Sequence, residues 1–273
     1  PRTWKHPKLE QPSVGDRATN NIILASLADK LDVPIGKIAI DGWKMFHQWF
    51  YETSQLAKTG ALVPLLERLE PHKRRLGVTH ALVMAMGAGP ASNDCQRMMN
   101  DLTRAFYLAF DELEAPHRAD EPALVTEFLA ARAGLHDDFG CMARLAVCLV
   151  FTDDGEITVL GPAARIERAN YAIYRSFGDG GAGMILADEL KWVLSSHSLW
   201  CGLHAAPSLG VMWFSRKKRI KCISGVTAAL AGKMTEEQYR SLISFISYLN
   251  SVLHEHGYLI TPLWAPINSP RSN

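Results

Sequence analysis

Apolar residues recur along this chain with two different periods, one typical of helices and one typical of strands. Helices are predicted in residues 20–31, 91–113, 121–133, 162–177 and 235–253. Strands are predicted in residues 37–41, 79–86, 145–151, 157–160, 184–186, 191–194, 199–203 and 211–214. Because helices and strands are mixed without a regular alternation, this order predicts an α+β fold. An antiparallel sheet would carry helices on one face, close to a split βαβ arrangement.

The strongest local signal is a predicted β-hairpin in the middle of the chain. Two strand-type runs, 145–151 and 157–160, flank the polar segment 152–156. An Asp-Gly pair between two such runs is typical of a tight hairpin, so Asp153 and Asp154 are predicted at its tip. The pair could be an ordinary solvated turn, since Asp and Gly are common turn formers. It could also be a Mg²⁺ site, because two close carboxylates repel each other unless a cation neutralises them.

The composition narrows the possible function classes. The 273 residues are 48% hydrophobic and 21% charged, which is enough for the core of one large domain or two small ones. A net charge of +1 means that nucleic-acid binding would depend on local patches, such as the basic run 216–221. Five cysteines without a CxxC pair indicate reduced thiols in an intracellular protein, in the nucleus or the cytoplasm. No apolar run approaches the ~18–20 residues of a membrane span, so no membrane contact is expected.

A third carboxylate, Asp41, ends the predicted strand 37–41. In a split βαβ sheet this strand and the hairpin can lie side by side. Asp41 and Asp153 could then face the same pair of divalent ions, which would clamp the attacking and leaving oxygens of a phosphoryl transfer.

Together with these carboxylates, several ordered blocks of the chain resemble the reverse transcriptase family. The blocks are residues 40–48, 86–100, 151–154, 191, 201–204 and 234–249. In order, they are similar to the three catalytic blocks of the family, the lysine of its fourth block, its primer-grip hairpin and its first thumb helix. The first block, Ile-Asp-Gly-Trp-Lys-Met-Phe-His-Gln, keeps the family's Asp, aromatic residue and His-Gln. The gaps between blocks are similar to those of tyrosine-recombinase-type retrotransposons.

This resemblance implies an RNA-directed DNA polymerase that adds deoxynucleotides to the 3′-OH of a primer on an RNA or DNA template. Two Mg²⁺ (or Mn²⁺) ions would be held by Asp41, Asp153 and Asp154. It also implies three segments, an N-terminal arm in residues 1–19, a palm in 20–204, and the primer-grip exit with the start of a helical thumb in 205–273. The triphosphate-binding fingers are expected upstream, and residues 1–273 alone are expected to be inactive without them.

The resemblance implies roles for further residues as well. Phe46 would stack under the deoxyribose and exclude a 2′-OH, while Gln96 and Lys191 would contact the nucleotide. The residues implied to contact nucleic acid are Arg97, Gly202, Arg216, Lys217, Lys218 and Arg219. All of these except Gly202 have a simpler alternative: core packing for Phe46, surface polarity for Gln96 and Arg97, a solvated lysine at Lys191, and a nuclear-localisation signal for the basic run.

Two other functions are compatible with these motifs. One is a non-catalytic domain of the same fold that binds nucleic acid or protein. The altered loop after Gly87 and the missing fingers favour it, whereas the intact Asp41, Asp153 and Asp154 argue against it. The other is an RNA-directed RNA polymerase, which the aromatic residue Phe46 disfavours because such an enzyme must admit the 2′-OH.

Overall fold

The computed structural model describes residues 11–41, 60–66, 74–80, 91–132, 144–186, 193–250, 258 and 260–268. The helices are α1 Val14–Leu31, α2 Ala91–Glu114, α3 Ala123–Arg132, α4 Ala163–Ser176, α5 Arg216–Leu230, α6 Glu236–Asn250 and α7 Thr261–Asn268. The strands are β1 Ile35–Asp41, β2 Gly60–Leu66, β3 Arg74–His80, β4 Ala146–Phe151, β5 Asp154–Leu160, β6 Val193–Ser195, β7 Ser198–Trp200, β8 Leu203–Ala206 and β9 Val211–Phe214. Within the described ranges no helix is long and apolar enough to cross a bilayer.

The main sheet has the strand order β4-β5-β1-β6, and each neighbouring pair is antiparallel. Helices α2 and α4 pack together against one face of this sheet. The buried core between them includes Ile38, Ile40, Phe106, Phe110, Cys148, Val150, Ile157, Val159, Ala169 and Ile173. The predicted α+β fold, with an antiparallel sheet and a helical layer, is therefore confirmed.

The second face of the sheet is also covered, which the sequence prediction of helices on one face does not include. Helices α1 and α3 lie there, together with a separate three-stranded sheet of order β7-β8-β9. The core on this side includes Leu24, Leu27, Val125, Val147, Leu149, Leu160 and Trp200. Because both faces are covered, β5 is buried along nearly its whole length, polar residues included.

Helix ends follow local capping chemistry. Helix α1 begins at a capping box, in which the Ser13 hydroxyl accepts from the Asp16 N–H and the Asp16 carboxylate accepts from the Ser13 N–H. The helix therefore begins six residues before the predicted start at Asn20, inside the predicted N-terminal arm. At α6 the predicted capping pattern is confirmed by the reciprocal bonds between Thr235 and Gln238.

Two further differences from the predicted elements concern β3 and α5. Strand β3 ends at His80 and pairs with β2, whereas the prediction placed a strand at 79–86, most of which lies outside the described residues. The basic run opens α5, capped by the Ser215 hydroxyl. This helix was not predicted, because its apolar residues form no one-sided stripe; in the structure none of its residues is buried.

Candidate active site

The predicted hairpin forms, but its turn lies earlier than the Asp-Gly pair suggested. Phe151 and Asp154 are paired across β4 and β5, so Thr152 and Asp153 make the two-residue turn. Thr152 has a φ of 58°, which is unusual for a β-branched residue. Asp153 therefore lies in a strained turn and Asp154 begins the following strand. Such strain is common at functional sites, where the surrounding structure maintains it.

The glycine of the Asp-Gly pair serves packing instead of the turn. Gly155 is paired with Ile40 of β1, and a Cβ added at Gly155 would lie 2.5 Å from Ile40 Cγ1. Only glycine allows the two strands to approach with this isoleucine between them. The close approach also brings the ends of β1 and β5, with their carboxylates, next to each other.

Asp41 and Asp154 are direct partners in the antiparallel register of β1 and β5. Both residues line, with Asp153, an open pocket of about 530 Å³ beside the three-stranded sheet. The other wall comes mainly from β7, β8 and the turn between them. The strand that ends at Asp41 and the hairpin are thus adjacent, as predicted. The sequence analysis expected Asp41 to face the same metal ions as Asp153, whereas the strand register places Asp41 opposite Asp154.

Asp154 is held from two sides by the turn after β7. Its Oδ2 accepts from the Cys201 N–H at 2.7 Å, and its backbone carbonyl accepts from the Trp200 indole N–H at 2.7 Å. Burial raises the pKa of the Asp154 carboxyl to about 6; the Cys201 N–H opposes this effect and nearby carboxylates reinforce it. A cation in the pocket would therefore favour the ionised form of Asp154.

The side chains at the pocket can be compared with the ligands that usually bind a divalent ion. In the parts of the chain that the structure describes, no three His, Cys, Asp or Glu side chains are arranged to hold a metal by themselves. Mg²⁺, however, is usually bound by one or two carboxylates together with water and substrate phosphates. Asp41 and Asp153 at the pocket wall suit an ion of that kind. They do not form a closed structural metal site.

The turn carrying Asp153 is fixed from behind by Gln96 of α2. The Gln96 side chain is fully buried; its amide NH₂ donates to the Val150 carbonyl and its oxygen accepts from the Thr152 N–H, both at 2.8 Å. The predicted contact between Gln96 and a nucleotide does not agree with this burial. Its alternative, an exposed polar residue, does not agree either. The structure corrects both, since Gln96 holds the strained turn in place.

A fully buried ion cluster lies beneath the pocket, and sequence reasoning missed it. The Glu156 carboxylate of β5 accepts from Arg17 of α1 and from Lys37 of β1, and all three side chains are at most 1% exposed. Ser198 of β7 also donates to Glu156, and Arg17 donates to the Leu203 carbonyl at 2.6 Å. The available signal was a pair of oppositely charged residues, Lys37 and Glu156, in otherwise apolar strand segments; Arg17 lies in a polar segment and gave no signal.

The pKa values in this cluster reflect both burial and pairing. For Glu156, burial alone would raise the pKa, but the charges and hydrogen bonds of Lys37 and Arg17 outweigh it and lower the pKa to about 2. For Lys37, burial dominates and lowers the pKa to about 8, although Glu156 opposes this shift. Lys37 also donates to Asn21 and Thr158, at 2.9 and 2.8 Å, so its ammonium is well satisfied.

The β7–β8 turn beside the pocket is the segment that resembles a primer grip. Cys201 and Gly202 both have positive φ, 50° and 75°, as the central residues of a tight I′-type hairpin turn require. The side chain of Lys218 crosses this turn, and its ammonium donates to the Cys201 carbonyl at 2.7 Å. Lys218 therefore supports the turn, which differs from the predicted phosphate contact, whereas Gly202 lines the pocket as a nucleic-acid contact would require.

The remaining predicted residues fall into three groups. Arg97 is half-exposed on α2 and pairs with Asp94 at 3.2 Å. The first turn of α5 exposes its other basic residues, namely Arg216, Lys217 and Arg219. Phe46 and Lys191 lie outside the described residues, so their predicted roles stay predictions.

Comparisons with known proteins give a weak structural likeness and no family match. No family model matches the chain, and no curated protein matches it. Among solved structures, the chain is similar to telomerase from Candida albicans in complex with a fragment of telomeric RNA. The two are 10% identical with a TM-score of 0.41, over 93% of this chain and 44% of the telomerase chain. The chain thus spans less than half of that protein, and a likeness of this size supports no argument about function.

Proposed function

We propose that this chain carries the palm and the start of the thumb of an RNA-directed DNA polymerase. The observation that supports this most is the pairing of Asp41 with Asp154 across β1 and β5, with Asp153 in the adjacent turn and all three at one pocket. Carboxylates converging from two antiparallel strands suit a two-metal phosphoryl transfer. The ordered motif blocks of the sequence point to the same chemistry.

In this proposal Asp41 and Asp153 would hold two Mg²⁺ (or Mn²⁺) ions, with Asp154 behind them. When bound, such ions lower the pKa of the primer 3′-OH and neutralise charge on the transferred phosphoryl group. The chain's own contribution is to keep these carboxylates in place. The Cys201 N–H fixes the Asp154 side chain, and Gln96 fixes the turn that carries Asp153.

The three-stranded sheet offers the surface on which we place the primer and template. The rings of His204 and Trp213 stack at a centroid distance of 5.1 Å on neighbouring strands, and His204 lines the carboxylate pocket. Aromatic faces of this kind stack with nucleotides whatever their sequence. The exposed Arg216, Lys217 and Arg219 on α5 would neutralise backbone phosphates, which makes binding sensitive to salt.

The proposal is tested by single-nucleotide addition to a primed RNA template. The protein for this assay carries in addition the triphosphate-binding fingers that the family resemblance implies. Asp153→Asn should remove the Mg²⁺- or Mn²⁺-dependent addition of a deoxynucleotide and leave the far-UV circular dichroism unchanged. Asp101→Asn, at an exposed position of α2, is the matched control and should keep full activity. Full activity of Asp153→Asn would overturn the site assignment.

A non-catalytic, nucleic-acid-binding domain of the same fold is the second candidate. It is favoured by the burial of Asp154, whose Oδ2 is already engaged by a backbone N–H. In that case a primer–template duplex would bind equally well with and without divalent ions, and Asp153→Asn would leave its affinity unchanged. The polymerase would be favoured if Mn²⁺ raised the affinity for the duplex in the presence of a deoxynucleoside triphosphate. Asp153→Asn should then abolish this gain.

The choice between deoxyribo- and ribonucleotides depends on Phe46 in this proposal. Truncation to Ala should raise ribonucleotide addition relative to deoxynucleotide addition by at least about tenfold, corresponding to about 1.4 kcal/mol. The measurement is the ratio of kcat/KM values for the matched nucleotides. An unchanged ratio would make Phe46 a packing residue and favour an RNA-directed RNA polymerase.

A further inference from the structure

A single residue, Cys201, connects the candidate active site to the helices of the thumb. Its N–H donates to Asp154 Oδ2 at 2.7 Å, on the side of the main sheet. Its carbonyl accepts from Lys218 Nζ at 2.7 Å and from the Tyr248 hydroxyl, on the side of α5 and α6. The two polar groups of one residue thus have partners in different parts of the fold.

The thumb side of this connection is itself well packed. Lys218 Nζ lies 4.2 Å from the centroid of the Tyr248 ring, so the two donors support each other through a cation–π contact. Gly202 makes room for the lysine, because a Cβ there would lie 2.3 Å from Lys218 Cε and Nζ. The Tyr248 ring also packs against Phe214, at the end of β9. Lys218 and Tyr248 therefore approach the Cys201 carbonyl in a fixed geometry.

The N–H and the carbonyl of Cys201 belong to two peptide planes that meet at its Cα. The backbone conformation of Cys201 therefore relates the directions of these two groups. With a φ of 50°, this residue occupies a region that non-glycine residues rarely adopt. The hairpin turn calls for this conformation, and contacts around the turn hold it in place. The Asp154 carboxylate provides one of these contacts, and Lys218 and Tyr248 provide two more. If the carbonyl loses its donors, the turn can relax and the N–H can leave the carboxylate.

We propose that Lys218 and Tyr248 are positioning residues for Asp154, acting through Cys201. The relevance to catalysis rests on the proposed polymerase function, whereas the coupling itself is a property of the fold. In this arrangement the placement of α5 and α6 sets the placement of a candidate catalytic carboxylate. Nucleic acid that moves α5 and α6 would therefore also move the Asp154 carboxylate at the pocket.

Amide hydrogen exchange on ¹⁵N-cysteine-labelled protein tests the coupling in residues 1–273. The Cys201 amide is one of only five cysteine signals. Tyr248→Phe and Lys218→Met should each raise its exchange rate at least tenfold. The matched controls lie on the same helices: Tyr239→Phe removes a hydroxyl that donates to the Leu263 carbonyl, and Lys221→Met removes an ammonium that lies over Phe245. Both controls should leave the Cys201 rate within twofold of wild type.

The outcomes separate the coupling from the polymerase function. Unchanged Cys201 exchange in both Tyr248→Phe and Lys218→Met, or an equal rise in the controls, would overturn the proposal. If exchange rises only in the two test variants, single-nucleotide addition by the protein that also carries the triphosphate-binding fingers then measures the consequence. The expected result is a kcat lowered at least fivefold with the KM for the nucleotide unchanged, because the carboxylate is displaced while the nucleotide contacts remain. An unchanged kcat in an active wild-type background would overturn the catalytic role, and an inactive wild type would overturn the proposed function alone.

Discussion

Strand β5 carries two carboxylates on the same face, two residues apart, with opposite properties. Asp154 lies at the wall of an open pocket, and burial raises its pKa to about 6. Glu156 lies beneath that pocket at 1% exposure, and its pKa is lowered to about 2. The deeper carboxylate is thus the more strongly ionised one. Depth alone does not decide the charge state.

The difference lies in the partners that the fold supplies. Glu156 receives two cations, Arg17 and Lys37, and hydrogen bonds that compensate for its loss of hydration. The Asp154 side chain accepts from a backbone N–H, and the carboxylates of Asp41, Asp153 and Glu156 all raise its pKa. A buried charge is stable only when it is paired. The ion cluster therefore stabilises the fold, whereas the carboxylates of Asp41, Asp153 and Asp154 line a pocket where a divalent ion could reach them.

The largest expected effect follows from removing one cation of the buried cluster. Arg17→Met should lower the free energy of unfolding by about 3–5 kcal/mol, because it leaves the buried Glu156 without one partner. Arg104→Met is the matched control at an exposed ion pair on α2, where about 0–1 kcal/mol is expected. Urea denaturation of both variants makes the comparison. Equal effects of the two substitutions would contradict the structural role of the cluster.

The acid sensitivity of the fold should come in large part from Glu156. Because its pKa is lower in the folded than in the unfolded state, its contribution is present above pH about 4.5 and is lost as pH falls toward about 2. The contribution amounts to about 3 kcal/mol, given 1.36 kcal/mol per pKa unit. Glu156→Gln should lower stability at pH 7 and flatten its dependence on pH below about 4.5. A curve with an unchanged slope in this variant would assign the acid sensitivity to other carboxylates.

Gly155, between the two carboxylates, should tolerate no side chain. Gly155→Ala places a Cβ against Ile40 and should cost about 1–3 kcal/mol through overpacking between β1 and β5. Since the clash lies with a side chain, Ile40→Ala should cost less in the Gly155→Ala background than in wild type. A double-mutant cycle by thermal unfolding measures this coupling. Additive effects would mean that the strands separate to accept the methyl group.

The smallest effect should have the opposite sign. Asp154→Asn removes a carboxylate whose pKa is raised in the folded state, so its charge opposes folding above pH about 6. In metal-free buffer at pH 7.5, the variant should therefore be more stable than wild type by about 1 kcal/mol, a value reduced for the partial exposure of the group. The amide oxygen can still accept from the Cys201 N–H. A destabilisation like that of Glu156→Gln would contradict the contrast between the two sites.

The sequence predicted those parts of the molecule whose causes are local. The strand ending at Asp41, the hairpin with Asp153 and Asp154, and the capped start of α6 each depend on a few neighbouring residues. The ion cluster depends on residues 17, 37, 156 and 198, which only the tertiary fold brings together. Gln96 is a similar case: the resemblance implied a nucleotide contact, and the burial of this side chain under a distant turn is not visible in its own helix. Periodicity reports which face is apolar, but it does not report which charges will meet.

Mn²⁺ binding measured by electron paramagnetic resonance shows whether Asp41 and Asp153 hold divalent ions. Titrations are made with and without a deoxynucleoside triphosphate and a primer–template duplex. We expect two bound ions per chain in the complete mixture, and at least tenfold weaker binding in Asp41→Asn and in Asp153→Asn. Asp101→Asn should bind as wild type does. Equal Mn²⁺ binding by all four proteins would mean that these carboxylates do not hold the ions.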